Sequence, residues 1–223
     1  MQFNDDNHFK IIQLTDIHLG ERHDLDAKTG HLIKDLLVKE KPDFIAITGD
    51  WVSGYKWDQE HEPFWEFHHA SLANALGHIH IPWGFVPGYH DYEADIDEKK
   101  MLDLESIHKL SVSRKNDYKH NNHELHKQFT YMVPIEDSAG SRETEARLWF
   151  FGTGRDECLG EKRGMGCVER DQIEWFKDMS DEIDAKDIYR GNGVAFMHHA
   201  LQEHMLLGNS HPIRGQKRDR AQC

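Results

Sequence analysis

A chain of 223 residues with 38% hydrophobic and 30% charged content has apolar material for one sizeable core. Its 27 Lys and Arg stand against 40 Asp and Glu, a formal net charge of −13. That balance lacks the basic face a phosphate backbone requires, so nucleic acid is not expected as a general partner. No apolar run approaches the roughly 20 residues of a bilayer span, and no membrane association is expected.

In chain order, Met1 to His8 is polar, carries Asp5 and Asp6, and is not a secretory signal. Ile11, Ile12 and Leu14 around Gln13 predict a short strand. The segment turns polar at Asp16-Ile17-His18 and closes at Gly20. In a strand that is ending, residues i and i+2 share a side, so Asp16 and His18 are placed to aim a carboxylate and an imidazole at one point. The apolar spacing of Leu32, Ile33, Leu36 and Leu37 predicts a helix over Ala27 to Glu40, stopped by Lys41-Pro42. Residues 43–48 predict a buried strand that ends in Gly49-Asp50-Trp51-Val52. A helix over Pro63 to Leu76 and a strand over Ile81 to Val86 follow, the strand ending in Pro87-Gly88-Tyr89-His90-Asp91. Alternating strands and helices with short connections predict an α/β layered fold, in which ligands bind beyond the carboxyl ends of the strands.

Further on, Ile96 to Leu110 predicts a charged helix, and Ser111 to Lys127 a polar, His-rich surface excursion. Residues 129–134 and 146–152 predict paired strands around an acidic loop. The Gly-rich stretch 152–166 lacks the Gly-Lys-Ser/Thr end of a phosphate-binding loop. Cys158, Cys167 and Cys223 are too few and too loosely spaced for a disulfide scaffold, which makes a reducing, cytoplasmic compartment the default. Glu169 to Met179 predicts an amphipathic helix, and Gly193 to Met197 a strand ending in His198-His199. The polar stretch 208–223 predicts no element.

Four strand ends therefore carry Asp16 with His18, Asp50, His90 with Asp91, and His198 with His199. A mixed set of carboxylates and imidazoles suits Zn, Mn or Fe rather than Ca. These motifs, in this order, resemble the calcineurin-like metallophosphoesterases, especially the branch near purple acid phosphatase. The resemblance implies an α/β (α+β) fold: a β-sandwich of two mixed sheets flanked by helices, with the site at the sheet edge. It implies one domain over 1–223, with the motifs inside 10–205 and the family's last strands missing. The implied function is hydrolysis of small phosphoesters by a metal-activated hydroxide. Asp16 and His18 would hold a first metal, Asp50 would bridge two, and His198 would hold the second. His198 is taken over His199 because His198 to Glu203 resembles the family's His-Ile-Pro-Leu-Pro-Glu. His90 would be the acid that protonates the leaving oxygen, positioned by Asp91.

Two departures bear on activity. Tyr89 stands where the family's Gly-Asn-His-Asp motif has a metal-binding Asn, and no Gly-His-x-His motif follows His198. Two metals are implied by the family and one is expected in this chain, through Asp16, His18 and Asp50. The alternative is a non-catalytic relative that keeps the fold as an interaction or scaffold protein.

Overall fold

The computed structural model describes residues 1–60, 63–120, 123–139, 144–158, 161–162, 165–184, 192–201 and 203. The first half reads β1 (Ile11–Leu14), α1 (His23–Glu40), β2 (Phe44–Thr48), a 3-10 turn (Gly54–Lys56), α2 (Phe64–Ile79), β3 (Trp83–Val86) and a second 3-10 turn (His90–Glu93). The second half reads α3 (Glu98–Glu105), β4 (Lys119–His120), β5 (His123–Glu124), β6 (Thr130–Glu136), β7 (Thr144–Phe151), β8 (Glu157–Cys158), β9 (Glu161–Lys162), α4 (Arg170–Asp184) and β10 (Gly193–Phe196).

Strands β1, β2 and β3 form one parallel sheet in that order, with Ile11 opposite Phe44 and Ile45 opposite Trp83. Every residue of β2 and β3 is buried, which is why both read as unbroken runs without polar alternation. The second sheet has the order β10-β7-β6. In it β6 and β7 pair, as predicted, and do so antiparallel, while β10 joins β7 in parallel. The two sheets and their helices bear out the expected α/β layered fold, but of the two three-stranded sheets only the second is mixed among the described residues. Aromatic rings fill the space between the sheets. Phe150 stacks on Tyr131 at 4.7 Å and on Phe196 at 5.1 Å, and meets Phe44 edge-on at 6.1 Å. Gly84 of β3 belongs to this packing, because a Cβ there would lie 2.7 Å from the tip of the Phe150 ring.

Three expectations need correction. The charged helix is shorter than 96–110. Asp97 caps its start by accepting the Lys100 N–H at 2.8 Å, and the helix ends at Glu105. Beyond it the chain becomes extended beside β3: Trp83 N–H donates to the Leu110 carbonyl and the Val112 N–H to the Trp83 carbonyl. The supposed excursion therefore begins in the interior. Ser113 is buried, and its hydroxyl accepts the Phe85 N–H at 2.9 Å. Small hydroxyl side chains let a polar-looking segment pass through the core with its groups paired. The third correction concerns the cysteines: Cys158 and Cys167 form a disulfide. The paired strands β8 and β9 turn the chain back between them, so a separation of nine residues is no obstacle. With this pair oxidised, cysteine usage no longer argues for a reducing compartment. Among the described residues, no helix is long and apolar enough to cross a membrane. The polar stretch 208–223 lies outside the described residues.

Candidate metal centre

Parallel strands bring their carboxyl ends to one edge, and the loops after β1 and β2 stay paired beyond the strands themselves. Asp16 N–H donates to the Gly49 carbonyl at 3.0 Å, His18 N–H to that of Asp50 at 2.9 Å, and Leu19 N–H to that of Trp51 at 2.9 Å. Asp16, His18 and Asp50 each adopt a left-handed backbone, with φ of 54°, 53° and 51°. Asp and His are among the side chains that tolerate this region, and such conformations collect at functional sites. The two-residue convergence of Asp16 and His18 thus comes from left-handed kinks after the strand, not from strand alternation.

One donor atom from each of Asp16, His18 and Asp50 lies within 4.8 Å of the others. His18 Nε2 is 4.0 Å from Asp16 Oδ1 and 3.8 Å from Asp50 Oδ2. His198 approaches the same Asp50 Oδ2 from the second sheet, its Nε2 at 3.5 Å. The remaining Asp50 oxygen, Oδ1, accepts the His90 N–H at 2.8 Å. The outer hydrogen bonds select the imidazole tautomers. His198 Nδ1 lies 2.8 Å from the Thr48 carbonyl, which can only accept, so Nδ1 carries the proton and Nε2 keeps its lone pair. His18 Nδ1 lies 3.0 Å from Ser53 Oγ, whose own hydrogen goes to Glu21, which leaves the hydroxyl oxygen to accept. Carboxylates together with imidazoles whose outer nitrogens are tied down form a donor set that fits Zn, Mn or Fe.

Glycines make the approach possible. A Cβ on Gly49 would sit 2.5 Å from the Gly88 backbone and 2.7 Å from His198 Nδ1. A Cβ on Gly88 would meet the Asp50 carboxylate and come within 2.7 Å of His198 Cε1. The loops after β2 and β3 touch backbone to backbone, with the His198 ring lying over them.

His90 and Asp91 do not pair as expected. The Asp91 carboxylate is fully buried and accepts the N–H groups of Gly88 (2.8 Å), Val52 (3.0 Å) and Trp51 (3.3 Å). Burial pushes its pKa up to about 6 against those three donors, with Asp50 adding repulsion. Its place is to tie the loops after β2 and β3 together. The His90 ring is held instead by Glu93, whose Oε2 lies 2.6 Å from Nδ1. Tyr89 turns its ring perpendicular to that of His90 at 5.3 Å and carries the Arg155 guanidinium above it at 5.2 Å. Burial first, and then the neighbouring His198, together lower the His199 pKa to about 4. Glu93, Ser53 and Arg155 did not stand out from the sequence. Only Glu93 left a signal there, its spacing of three from His90.

A family model described as calcineurin-like phosphoesterase matches residues 9–215. The chain belongs to that family. Among curated relatives, an Arabidopsis thaliana protein named probable inactive purple acid phosphatase 28 is 28% identical over 250 residues, covering 100% of this chain and 61% of its own length. Phosphatase DCR2 of Saccharomyces cerevisiae is 25% identical, covering 95% of this chain and 38% of its own. The chain thus spans about three fifths or less of these relatives. A solved structure described as a dimetal phosphatase from Danio rerio superposes with a TM-score of 0.56 over 85% of this chain and 69% of that one, at 12% identity. At that identity the likeness concerns the fold. As a calcineurin-like phosphoesterase, the chain combines the expected two-sheet fold with a candidate metal triad at the edge of its parallel sheet.

Proposed function

We propose that this calcineurin-like phosphoesterase hydrolyses small phosphate esters with a metal held by Asp16, His18 and Asp50, and that His198 and Asp50 offer a second, poorer position. The observation that carries this reading is the meeting of His18 Nε2 and His198 Nε2 on one oxygen of the buried Asp50, with His90 anchored to its other oxygen. A Zn, Mn or Fe ion held there would supply Lewis-acid polarisation of a phosphoryl oxygen and activation of water at neutral pH. The chain's own groups do the rest. Asp50 supplies buried negative charge and, through the His90 N–H, holds the loop after β3. His90 keeps Nδ1 on Glu93 and leaves Nε2 as the atom that can hand a proton to the leaving oxygen.

A second reading, a non-catalytic relative, is favoured by Tyr89 in the place of the motif's Asn and by the words "probable inactive" in the name of a relative. Metal analysis of dialysed protein, beside hydrolysis of an aryl phosphate, separates the two. About one bound ion per chain is expected, with Asp50→Asn weakening affinity by about 100-fold or more, since even outer-shell changes cost 10–100-fold. His90→Ala should lower turnover by roughly 10²–10⁴-fold. Metal binding without turnover in the unaltered protein favours the non-catalytic reading, and unchanged metal content in Asp50→Asn removes the proposed site.

A further inference from the structure

Residues 90–93, His-Asp-Tyr-Glu, form a 3-10 turn. With three residues per turn, side chains at i and i+3 eclipse one another, which places Glu93 directly over His90. The two are in contact, Nδ1 to Oε2, with side-chain exposures of 30% and 18%. The other Glu93 oxygen, Oε1, lies 3.4 Å from an Arg155 Nη. Arg155 in turn sits over the Tyr89 ring, and the rings of Tyr89 and Tyr55 stand edge-on to His90 at 5.3 Å and 4.8 Å. The loop bearing Arg155 is fastened twice: the Gly166 N–H donates to the Arg155 carbonyl at 2.7 Å, and the Cys158–Cys167 disulfide closes the stretch just beyond.

We propose that Glu93 is the positioning residue of His90, and that Arg155 holds Glu93 in that role. Asp91 is turned elsewhere: both its oxygens accept backbone N–H groups, and it is Glu93 that contacts the His90 ring. An imidazole whose Nδ1–H donates to a carboxylate presents its Nε2 in one tautomer and one orientation. Arg155 locks that carboxylate from behind. A histidine held through its backbone N–H without this carboxylate would lose the hydrogen bond that fixes its ring beside that of His18, now 5.3 Å away. The consequence for turnover rests on the phosphoesterase reading, whereas the tautomer and orientation of His90 do not.

The test reads the His90 tautomer directly, by nitrogen-15 imidazole spectroscopy on the full chain at about pH 8.5, above the ordinary histidine range. The unaltered protein should show His90 with its proton on Nδ1. Glu93→Ala should shift the population toward the Nε2–H form, and Arg155→Met should shift it part of the way. In an active protein, Glu93→Ala should lower kcat about tenfold or more with KM within about twofold, a loss smaller than that of His90→Ala. An unchanged His90 spectrum in folded Glu93→Ala overturns the proposal. Arg155 has a side chain 39% exposed, so its removal keeps the test open if Glu93→Ala does not fold. Identity of the Arg155→Met and unaltered spectra overturns the locking role. If the tautomer shifts as expected while no form hydrolyses phosphoesters, the positioning role stands and the phosphoesterase reading fails.

Discussion

Asp50 shows how much one residue can organise when its backbone leaves the strand. A φ of 51° turns its carboxylate back over the sheet edge, where Oδ1 takes the His90 N–H and Oδ2 faces His18 and His198. Glu105 plays a comparable part far from that edge, with a purely structural result. Its side chain is fully buried and gathers the imidazole of His69, the indole N–H of Trp83 at 3.2 Å and the Ser111 hydroxyl. Burial alone would push this carboxyl up; the hydrogen bond and charge of His69 and the serine hydroxyls outweigh it and hold it below its ordinary 4.5. A depressed folded-state pKa means that the stabilisation is present above about 4.5 and fades as pH falls through the folded value. Glu105→Gln should therefore cost about 3 kcal/mol at neutral pH, the range for breaking a buried pair. The difference from the unaltered protein should shrink on acidification. Urea unfolding at about pH 7 and about pH 4 checks both the size and the sign; a gap that widens in acid would contradict the assignment.

At the scale of elements, hydrophobic pattern located the four α-helices and the strands of the two larger sheets but none of β4, β5, β8 and β9, and the errors share a cause. The predicted helix over 96–110 stops at Glu105 because the next residues are taken up by β3, a partner 20 or more residues away in the chain. No window of local sequence contains that pairing. The loop after β7 is similar. Its cysteines read as unrelated until β8 and β9 fold back on each other and bring Cys158 to Cys167. Closing a loop of this length should stabilise the fold by about 2–3 kcal/mol in the chain-entropy view. The paired change Cys158→Ser with Cys167→Ser should lose that much in non-reducing chemical denaturation. A reductant should cost the unaltered protein a similar amount and leave the paired variant unmoved; equal stability of the two forms without reductant would show that the bond contributes nothing.

Across the whole molecule, Phe150 connects the halves of the site. It lies between Tyr131 and Phe196 of its own sheet and Phe44 of the other, and it occupies the space left by Gly84. Phe196 ends the strand that leads to His198, so the ring that joins the sheets also seats the imidazole arriving from the second one. Phe150→Ala should destabilise by about 3–5 kcal/mol, the usual cost of an emptied aromatic site. It should also weaken binding of any ion that uses His198 more than binding through His18. Thermal melts with and without added metal check this, and a loss of stability under about 1 kcal/mol would mean that the sheets are joined elsewhere. Taken alone, the sequence determined the alternation of strands and helices in the first half and the identity of the polar residues at the strand ends. These follow from local periodicity and from residue chemistry, which a linear reading contains. Tertiary structure decided the partners. Asp91 went to backbone amides and Glu93 to His90, and Gly49 and Gly88 were needed so that two loops could touch under His198. Which carboxylate reaches which donor depends on backbone turns and on contacts between sheets distant in the chain, and only the folded molecule brings these together.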